Sequence, residues 1–293
     1  MTIDTLTVVI PTYNRAGVLK KALDAYKKQS APESIRELIV VDDGSTDGTE
    51  NIVLQMRKEL PFPVRYLRQS NKGPAAARNA GIREAASELI LFTDDDIIPE
   101  RTLVAQHLAW HNTYPDRAVA LMGNLKWDAD VEPTPFMGWY GSEALFCYAS
   151  FAGRTELEYI YFYTCNVSLK TQFLRINNGF DEDFKVAAWE DSELGFRLNK
   201  AGMRLLYNSE ALAYHHQYIS FDDACRRHKK ALEAHEVFKR KEAGRSQAAV
   251  KTSRLNGRLK KLLASALFPL KSLMDWRLPL PWSVYRMMFR IYR

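Results

Sequence analysis

The chain reads as an α/β protein: a mostly parallel sheet flanked by helices, followed by a basic helical appendage. Three observations carry this reading. Short apolar runs alternate with segments of helical spacing over residues 6–122. Several of these runs stop abruptly in polar loops, most sharply where Leu89-Ile90-Leu91-Phe92-Thr93 meets Asp94-Asp95-Asp96. The charge also changes sign along the chain. Residues 226–293 hold 18 Lys and Arg against 4 Asp and Glu, whereas residues 1–225 hold 23 against 31. The acidic body and basic tail suggest a main part over 1–221 and an extension over 222–293.

The elements follow in order. Leu6-Thr7-Val8-Val9-Ile10 is the first strand, ended by Pro11, and Pro11-Thr12-Tyr13-Asn14-Arg15 makes a loop. Ala16 to Gln29 repeats apolar residues at Val18, Leu19, Ala22, Leu23 and Tyr26, the period of a helix. Glu37 to Val41 is the second strand and runs into the turn cluster Asp42-Asp43-Gly44-Ser45-Thr46-Asp47-Gly48. Ile52, Val53, Met56 and Leu60 mark a second helix, and Val64 to Leu67 a third strand. Gly73-Pro74 opens a third helix, whose Ala75, Ala76, Ala77, Ala80 and Gly81 permit close packing. The acid-ended strand from Leu89 comes next, then a helix from about Pro99 and a strand over Ala118 to Met122. Residues 124–165 read as irregular and aromatic-rich, and such rings fill cores more often than they stack on sugars. A turn over Asn177 to Glu182 precedes Trp189-Glu190-Asp191, which leads into a helix through Leu198 with Gly202 past its end. Leu205 to Tyr214 contains a short strand followed by His215-His216.

Parallel strands require crossovers, and the helices supply them. Ligands of such open sheets bind at the carboxyl edge. A GxGxxG fingerprint after the first strand is missing, as is a GxxxxGK[ST] phosphate loop, which argues against a dinucleotide oxidoreductase and a P-loop NTPase. The three cysteines, Cys147, Cys165 and Cys225, show no CxxC spacing and fit a reducing compartment. The N-terminus lacks the charged and apolar regions of a signal peptide. No run reaches the ~18 apolar residues of a spanning helix. Asn166-Val167-Ser168 has the form of a glycosylation acceptor but stands in no secretory context.

Three adjacent carboxylates repel one another unless something positive lies among them, and a divalent cation carrying a phosphorylated ligand would serve. A solvated acidic loop capping the next helix is the competing reading. Glu190 and Asp191 open a helix, where the macrodipole also favours acids, so capping and catalysis both fit. Two adjacent histidines after a strand, in a chain with an acidic cluster, strengthen the metal reading.

Taken together, these residues resemble a family 2 glycosyltransferase of the GT-A fold over residues 5–220. The motifs are Val8 to Arg15, Val40 to Asp47, Asn71-Lys72-Gly73, Ala77-Arg78-Asn79-Ala80-Gly81-Ile82, Asp94 to Asp96, Gly179-Phe180-Asp181-Glu182, Glu190-Asp191 and His215. Each is weak alone; their order and spacing are specific. The resemblance implies transfer of a sugar from a nucleotide-diphosphate donor, UDP being the family's commonest, to a hydroxyl in bacterial-type glycan, polysaccharide or lipopolysaccharide assembly. It implies a nucleotide site of Pro11, Thr12, Tyr13, Arg15, Asp43, Arg78, Asp94 and Asp95. In it Tyr13 would stack on the base and Asp43 would accept from a base N–H, with Pro11 as a pocket wall. It implies Mg2+ or Mn2+ held by Asp96, Asp94 and His215. The cluster is DDD rather than a simple DxD, so Asp95 shares or replaces either role, and His216 stands beside His215 as an alternative. Asp191, with Glu190, matches the family's base, which implies a single inverting displacement. A nucleotidyltransferase would need a Gly-rich phosphate loop that Pro11 to Arg15 does not supply. A non-catalytic sugar-nucleotide-binding or scaffold subunit would show a damaged acid cluster or a missing base, and both are intact.

The tail reads as a charged helix over 222–245, a linker over 246–253, and a basic amphipathic segment with Leu255, Leu259, Leu262, Leu263 and Leu270. Trp276, Trp282, Tyr285, Met287, Met288 and Phe289 follow among arginines. This composition suits an anionic membrane interface. The expectation is a cytoplasmic enzyme, peripheral on the inner face of the cell membrane, near a glycan or lipid-linked acceptor. The alternative is a helix pair packed on the catalytic domain or on a second subunit of a homo-oligomer. Nucleic acid has no place in this reading.

Overall fold

A computed structural model describes residues 2–185, 187–242, 267–277 and 279–293. The chain divides into two units. One comprises Met1–Asp128 and Phe151–His216, the other Ala129–Ser150 and Gln217–Arg293.

The first unit holds the sheet: β1 (Leu6–Thr12), β2 (Ile35–Asp42), β3 (Val64–Arg68), β4 (Leu89–Thr93), β5 (Ile97–Pro99), β6 (Val119–Trp127), β7 (Glu156–Leu157), β8 (Asn166–Lys170) and β9 (Arg204–His215). Its helices are α1 (Ala16–Tyr26), α2 (Thr49–Glu59), α3 (Pro74–Glu84), α4 (Leu103–Thr113), α6 (Thr171–Ile176) and α7 (Glu190–Lys200). The strand order is β3-β2-β1-β4-β8-β6-β9-β5, with β7 on β9. From β3 to β4 every pairing is parallel. Both faces of β1 and β4 are covered, which is why they read as unbroken apolar runs; Val8, Val9, Ile10 and Leu89 to Phe92 are all 0% exposed, whereas the edge strand β3 is only partly buried. α3 approaches β1 through its small residues: a Cβ on Gly81 would collide with the methyls of Val9.

Beyond β4 the sheet is mixed. β8 runs antiparallel between β4 and β6, while β9 lies parallel to β6 and pairs antiparallel with β5 and β7. β8 is not anticipated by the sequence, because its alternate residues Asn166, Ser168 and Lys170 are polar yet buried. The strand expected over Ala118 to Met122 continues to Trp127, inside the stretch read as irregular. The helix expected from about Pro99 starts at Leu103, since Ile97-Ile98-Pro99 is held as β5.

The second unit contains α5 (Pro135–Tyr140), α8 (Phe221–Glu242), a 3-10 segment over Phe268–Asp275, and α9 (Trp282–Tyr292). Its core is aromatic. Phe136 packs on Phe221 and Tyr285, and Trp139 packs on Tyr285 and Phe289. Tyr285, Met288 and Phe289, expected at a membrane interface, are thus spent inside this unit, whereas Trp276, Trp282 and Met287 are exposed. The linker over 246–253 and the leucine repeat from Leu255 to Leu263 lie outside the described residues. Among the described residues, no helix is long and apolar enough to cross a membrane.

Candidate active site

Because β1, β2 and β4 are parallel, the loops after them leave the same edge of the sheet. Hydrogen bonds stitch these loops together. Asn14, in a left-handed conformation (φ 52°), accepts from the Thr46 N–H through Oδ1 (2.7 Å), while its own N–H donates to Ser45 Oγ (2.8 Å). Thr12 Oγ1 donates to Asp95 Oδ2 at 2.7 Å. Asp43 is buried and accepts from Gln69 Nε2 (2.7 Å) and from the backbone N–H groups of Lys72 and Gly73 (both 2.8 Å). Any base contact by Asp43 therefore shares a carboxylate that already orders the next loop. Tyr13 stands 47% exposed at the end of β1. Pro11 lies within β1, opposite Val41 of β2.

The acid cluster is divided between two arginines. Arg15 reaches Asp95 Oδ1 (3.2 Å) and Asp96 Oδ2 (2.9 Å). Arg78, buried on α3, donates to Asp94 Oδ1 (2.7 Å) and to Glu190 Oε1 (3.0 Å). Its guanidinium lies 5.7 Å from the Phe180 ring centroid. Phe180 is itself clasped by Asn79, which accepts from the Phe180 N–H (2.8 Å) and donates to its carbonyl (2.9 Å). Arg197 pairs with Glu193 and donates to the carbonyls of Asn177 and Gly179 (2.6 Å each), tying the same loop to α7. The Asn79 and Gly179–Glu182 motifs thus form the mount of Arg78.

Glu190 and Asp191 open α7 immediately after Trp189, whose φ of 70° is left-handed. A bulky residue held there stores about 1–3 kcal/mol, as backbones at functional sites often do. Asp191 Oδ1 accepts from the Ser192 N–H at 2.7 Å. Burial, reinforced by mutual repulsion, raises the pKa of Glu190, and burial raises that of Asp191, against the pull of Arg78. Burial likewise raises Asp95 above its ordinary value despite Arg15. For Asp96 burial pushes the same way, but His215 and Arg15 outweigh it and hold the carboxyl low.

β9 delivers the histidines. His215 Nε2 lies 3.3 Å from Asp96 Oδ2, and its ring stacks on Trp127 with centroids 5.2 Å apart. His216 turns elsewhere, to Asp128 Oδ2 (2.7 Å) and Lys21 Nζ (3.0 Å). Asp96 and His215 have the spacing of two ligands on one hard divalent cation, since ligands at ~2.1 Å and right angles lie about 3 Å apart, while Arg15 donates to the same Asp96 oxygen and Arg78 holds Asp94 Oδ1. Sequence reasoning brought Arg15, Arg78, Asp94 to Asp96, Glu190 and His215 to this edge. It missed the Trp127 stack and the Asn79 and Arg197 clasps, which join residues far apart in the chain.

A mixed α/β sheet with acid-bearing loops on one edge is the GT-A architecture, and solved structures of that fold resemble this one. The mannosyltransferase PcManGT from Pyrobaculum calidifontis, in complex with GDP-Man and Mn2+, gives a TM-score of 0.61 at 19% identity, covering 98% of this chain and 84% of that one. TarS 1-349 from S. aureus, in complex with UDP-GlcNAc, gives 0.57 at 24% identity, covering 75% and 63%. Residues 7–135 match the model of "Glycosyl transferase family 2". Validoxylamine A glucosyltransferase of Streptomyces hygroscopicus subsp. jinggangensis is 31% identical over 240 residues, 70% of this chain and 54% of that protein. The Staphylococcus aureus poly(ribitol-phosphate) beta-N-acetylglucosaminyltransferase TarS is 39% identical over 98 residues, 33% of this chain and 17% of that protein. The chain belongs to glycosyl transferase family 2. It spans about half the length, or less, of these curated relatives.

Proposed function

We propose that the chain transfers a sugar from a nucleotide diphosphate, UDP foremost, to a hydroxyl of a glycan or lipid-linked acceptor in bacterial-type surface-glycan assembly, with inversion and with a divalent metal. The observation that carries this reading is one sheet edge where Arg15 and Arg78 divide the Asp94–Asp96 cluster and Arg78 links it to the Glu190-Asp191 pair. The nucleotide sugars and Mn2+ bound by the neighbouring structures support it.

In this reading Tyr13 stacks on the base, with Pro11 as a wall and Asp43 as an acceptor for a base N–H. Thr12 orients Asp95. Arg15 and Arg78 balance the acids and draw the diphosphate towards them. Asp96 and His215, with Asp94, would hold Mg2+ or Mn2+, which supplies charge to stabilise the leaving diphosphate. Asp191 takes the proton of the acceptor hydroxyl as the oxygen attacks the anomeric carbon, and the nucleotide diphosphate departs from the opposite face. Glu190 keeps Arg78 in place beside that base. Residues 1–221 carry this chemistry. Residues 222–293 dock the enzyme on an anionic membrane, the inner face of the cell membrane in a bacterial-type cell.

The test is donor binding and slow hydrolysis across a panel of nucleotide sugars, with Mn2+ or Mg2+ and again with EDTA. One donor that binds and turns over only with metal is expected. Metal-independent binding, or binding of none, would overturn the assignment of Asp94–Asp96.

A further inference from the structure

Asn166 opens β8 and is wholly buried. Its side-chain nitrogen donates to the carbonyls of Asn124 (3.1 Å) and Ala211 (2.9 Å), and its oxygen faces His107 Nε2 at 2.9 Å. The two carbonyls belong to β6 and β9, where their parallel pairing shifts register. Gly123 pairs with Asn208, but Asn124 pairs with Leu212, so Ser209, Glu210 and Ala211 bulge out of β9. Gly123 must lack a side chain there, because a Cβ would run into the Ala211 carbonyl and the Asn166 amide. α4 closes the bulge from another side: Asn208 donates to Gln106 Oε1 (3.0 Å) and accepts from the Glu210 N–H (2.9 Å).

The directions of these bonds are fixed by counting donors and acceptors. An amide nitrogen shared by two carbonyls leaves Asn166 Oδ1 as the acceptor. His107 therefore donates from Nε2 and accepts at Nδ1 from Ser168 Oγ (2.7 Å), and the Ser168 oxygen accepts from His111 Nε2 (2.9 Å). Burial keeps both imidazoles neutral, lowering His107 to about 4 and His111 to about 3. Asn166 stands at the fully paired end of this buried chain, bonded through both its amide nitrogen and its oxygen, and such pairing holds a side chain rigidly.

Downstream of the bulge, Leu212 to His215 pair with Asn124 to Trp127, and Ala213 to His215 pair with Pro99 to Ile97, just after Asp96. Side chains alternate along a strand, so a slip of one residue would take His215 off both Asp96 and the Trp127 ring. We propose that Asn166 is a positioning residue for His215: by clasping the β9 bulge it sets the register that brings His215 to Asp96. The inference rests on the reading of Asp96 and His215 as metal ligands.

The experiment is Mn2+ titration of the full chain by calorimetry, with a thermal melt of each variant. Asn166→Ala and the milder Asn208→Ala are compared with His215→Ala and with Met56→Ala, a core truncation on α2 that destabilises without touching the bulge. Residues that orient metal ligands typically matter 10–100-fold, so both bulge variants are expected to weaken Mn2+ by about tenfold or more. Met56→Ala should bind Mn2+ as the parent chain does. Unchanged Mn2+ affinity in the bulge variants, with His215→Ala impaired, overturns the inference and leaves the proposed function standing. An equal loss in Met56→Ala also overturns it, by showing a general effect of instability. No Mn2+ binding by the parent chain, or full binding by His215→Ala, overturns the metal reading beneath it.

Discussion

At the scale of single residues, the two acids that open α7 differ in their partners. Glu190 is engaged with Arg78, whereas Asp191 bonds only locally, to the Ser192 N–H, among the contacts described above. A general base contributes about 100-fold or more to a rate. Asp191→Asn is therefore expected to lose at least that in turnover while donor affinity, measured by calorimetry, stays within about twofold; near-parental turnover would remove Asp191 as the base. Glu190 makes a pH prediction. Its folded pKa is raised, so the folded chain binds this proton more tightly than the unfolded chain does. That contribution to stability is complete below the unfolded value of about 4.3 and is lost as pH rises through the folded value. Denaturant titrations between pH 4 and pH 8 should show stability falling more steeply in the parent chain than in Glu190→Gln. Parallel curves would mean that Arg78 fully offsets the burial of this carboxylate.

At the scale of elements, α3 lies close on β1 because Gly81 leaves room for Val9. Overpacking of this kind costs about 1–3 kcal/mol. Gly81→Ala should destabilise by that amount, and less in a Val9→Ala background, where the colliding methyls are gone. Additive effects in this double-mutant cycle would show that the collision is relieved elsewhere. Legibility in the sequence varied by element for physical reasons. β1, β2 and β4 were plain because burial on both faces demands continuous apolar runs. β8 was hidden because Asn166 and Ser168 serve a buried hydrogen-bond network with α4, so the continuous apolar run that marks the other inner strands is missing there. The acids and His215 were legible as motifs, yet their division between Arg15 and Arg78 depends on contacts across the fold. The aromatics of α9 read only as interfacial residues following an amphipathic segment, not as a protein-facing helix, since the same composition suits a membrane or a core.

At the scale of the whole molecule, charge is the feature left to explain, with 18 of the 41 Lys and Arg gathered beyond residue 225. α9 spends one face on the core of its own unit and turns Trp282, Arg286, Met287 and Arg290 outward, with Trp276 also exposed. α9 carries no acid of its own, and an aromatic and cationic face is what an anionic lipid surface attracts, indole rings settling at the headgroups and arginines at the phosphates. The full chain should therefore sediment with vesicles containing phosphatidylglycerol and much less with pure phosphatidylcholine. Each surface arginine contributes about 1 kcal/mol to such binding. Arg286 also pairs with Glu143, so Arg286→Gln with Arg290→Gln should weaken vesicle binding by about 10-fold rather than the full 30-fold. Replacing Trp276 and Trp282 by Ala should lower binding at every salt concentration, whereas the arginine losses should shrink as salt rises, because screening acts on charge and not on buried rings. If neither pair of substitutions moves the vesicle isotherm while the melts stay unchanged, the outward face of α9 is not the docking surface, and the basic tail acts through some other part of its length.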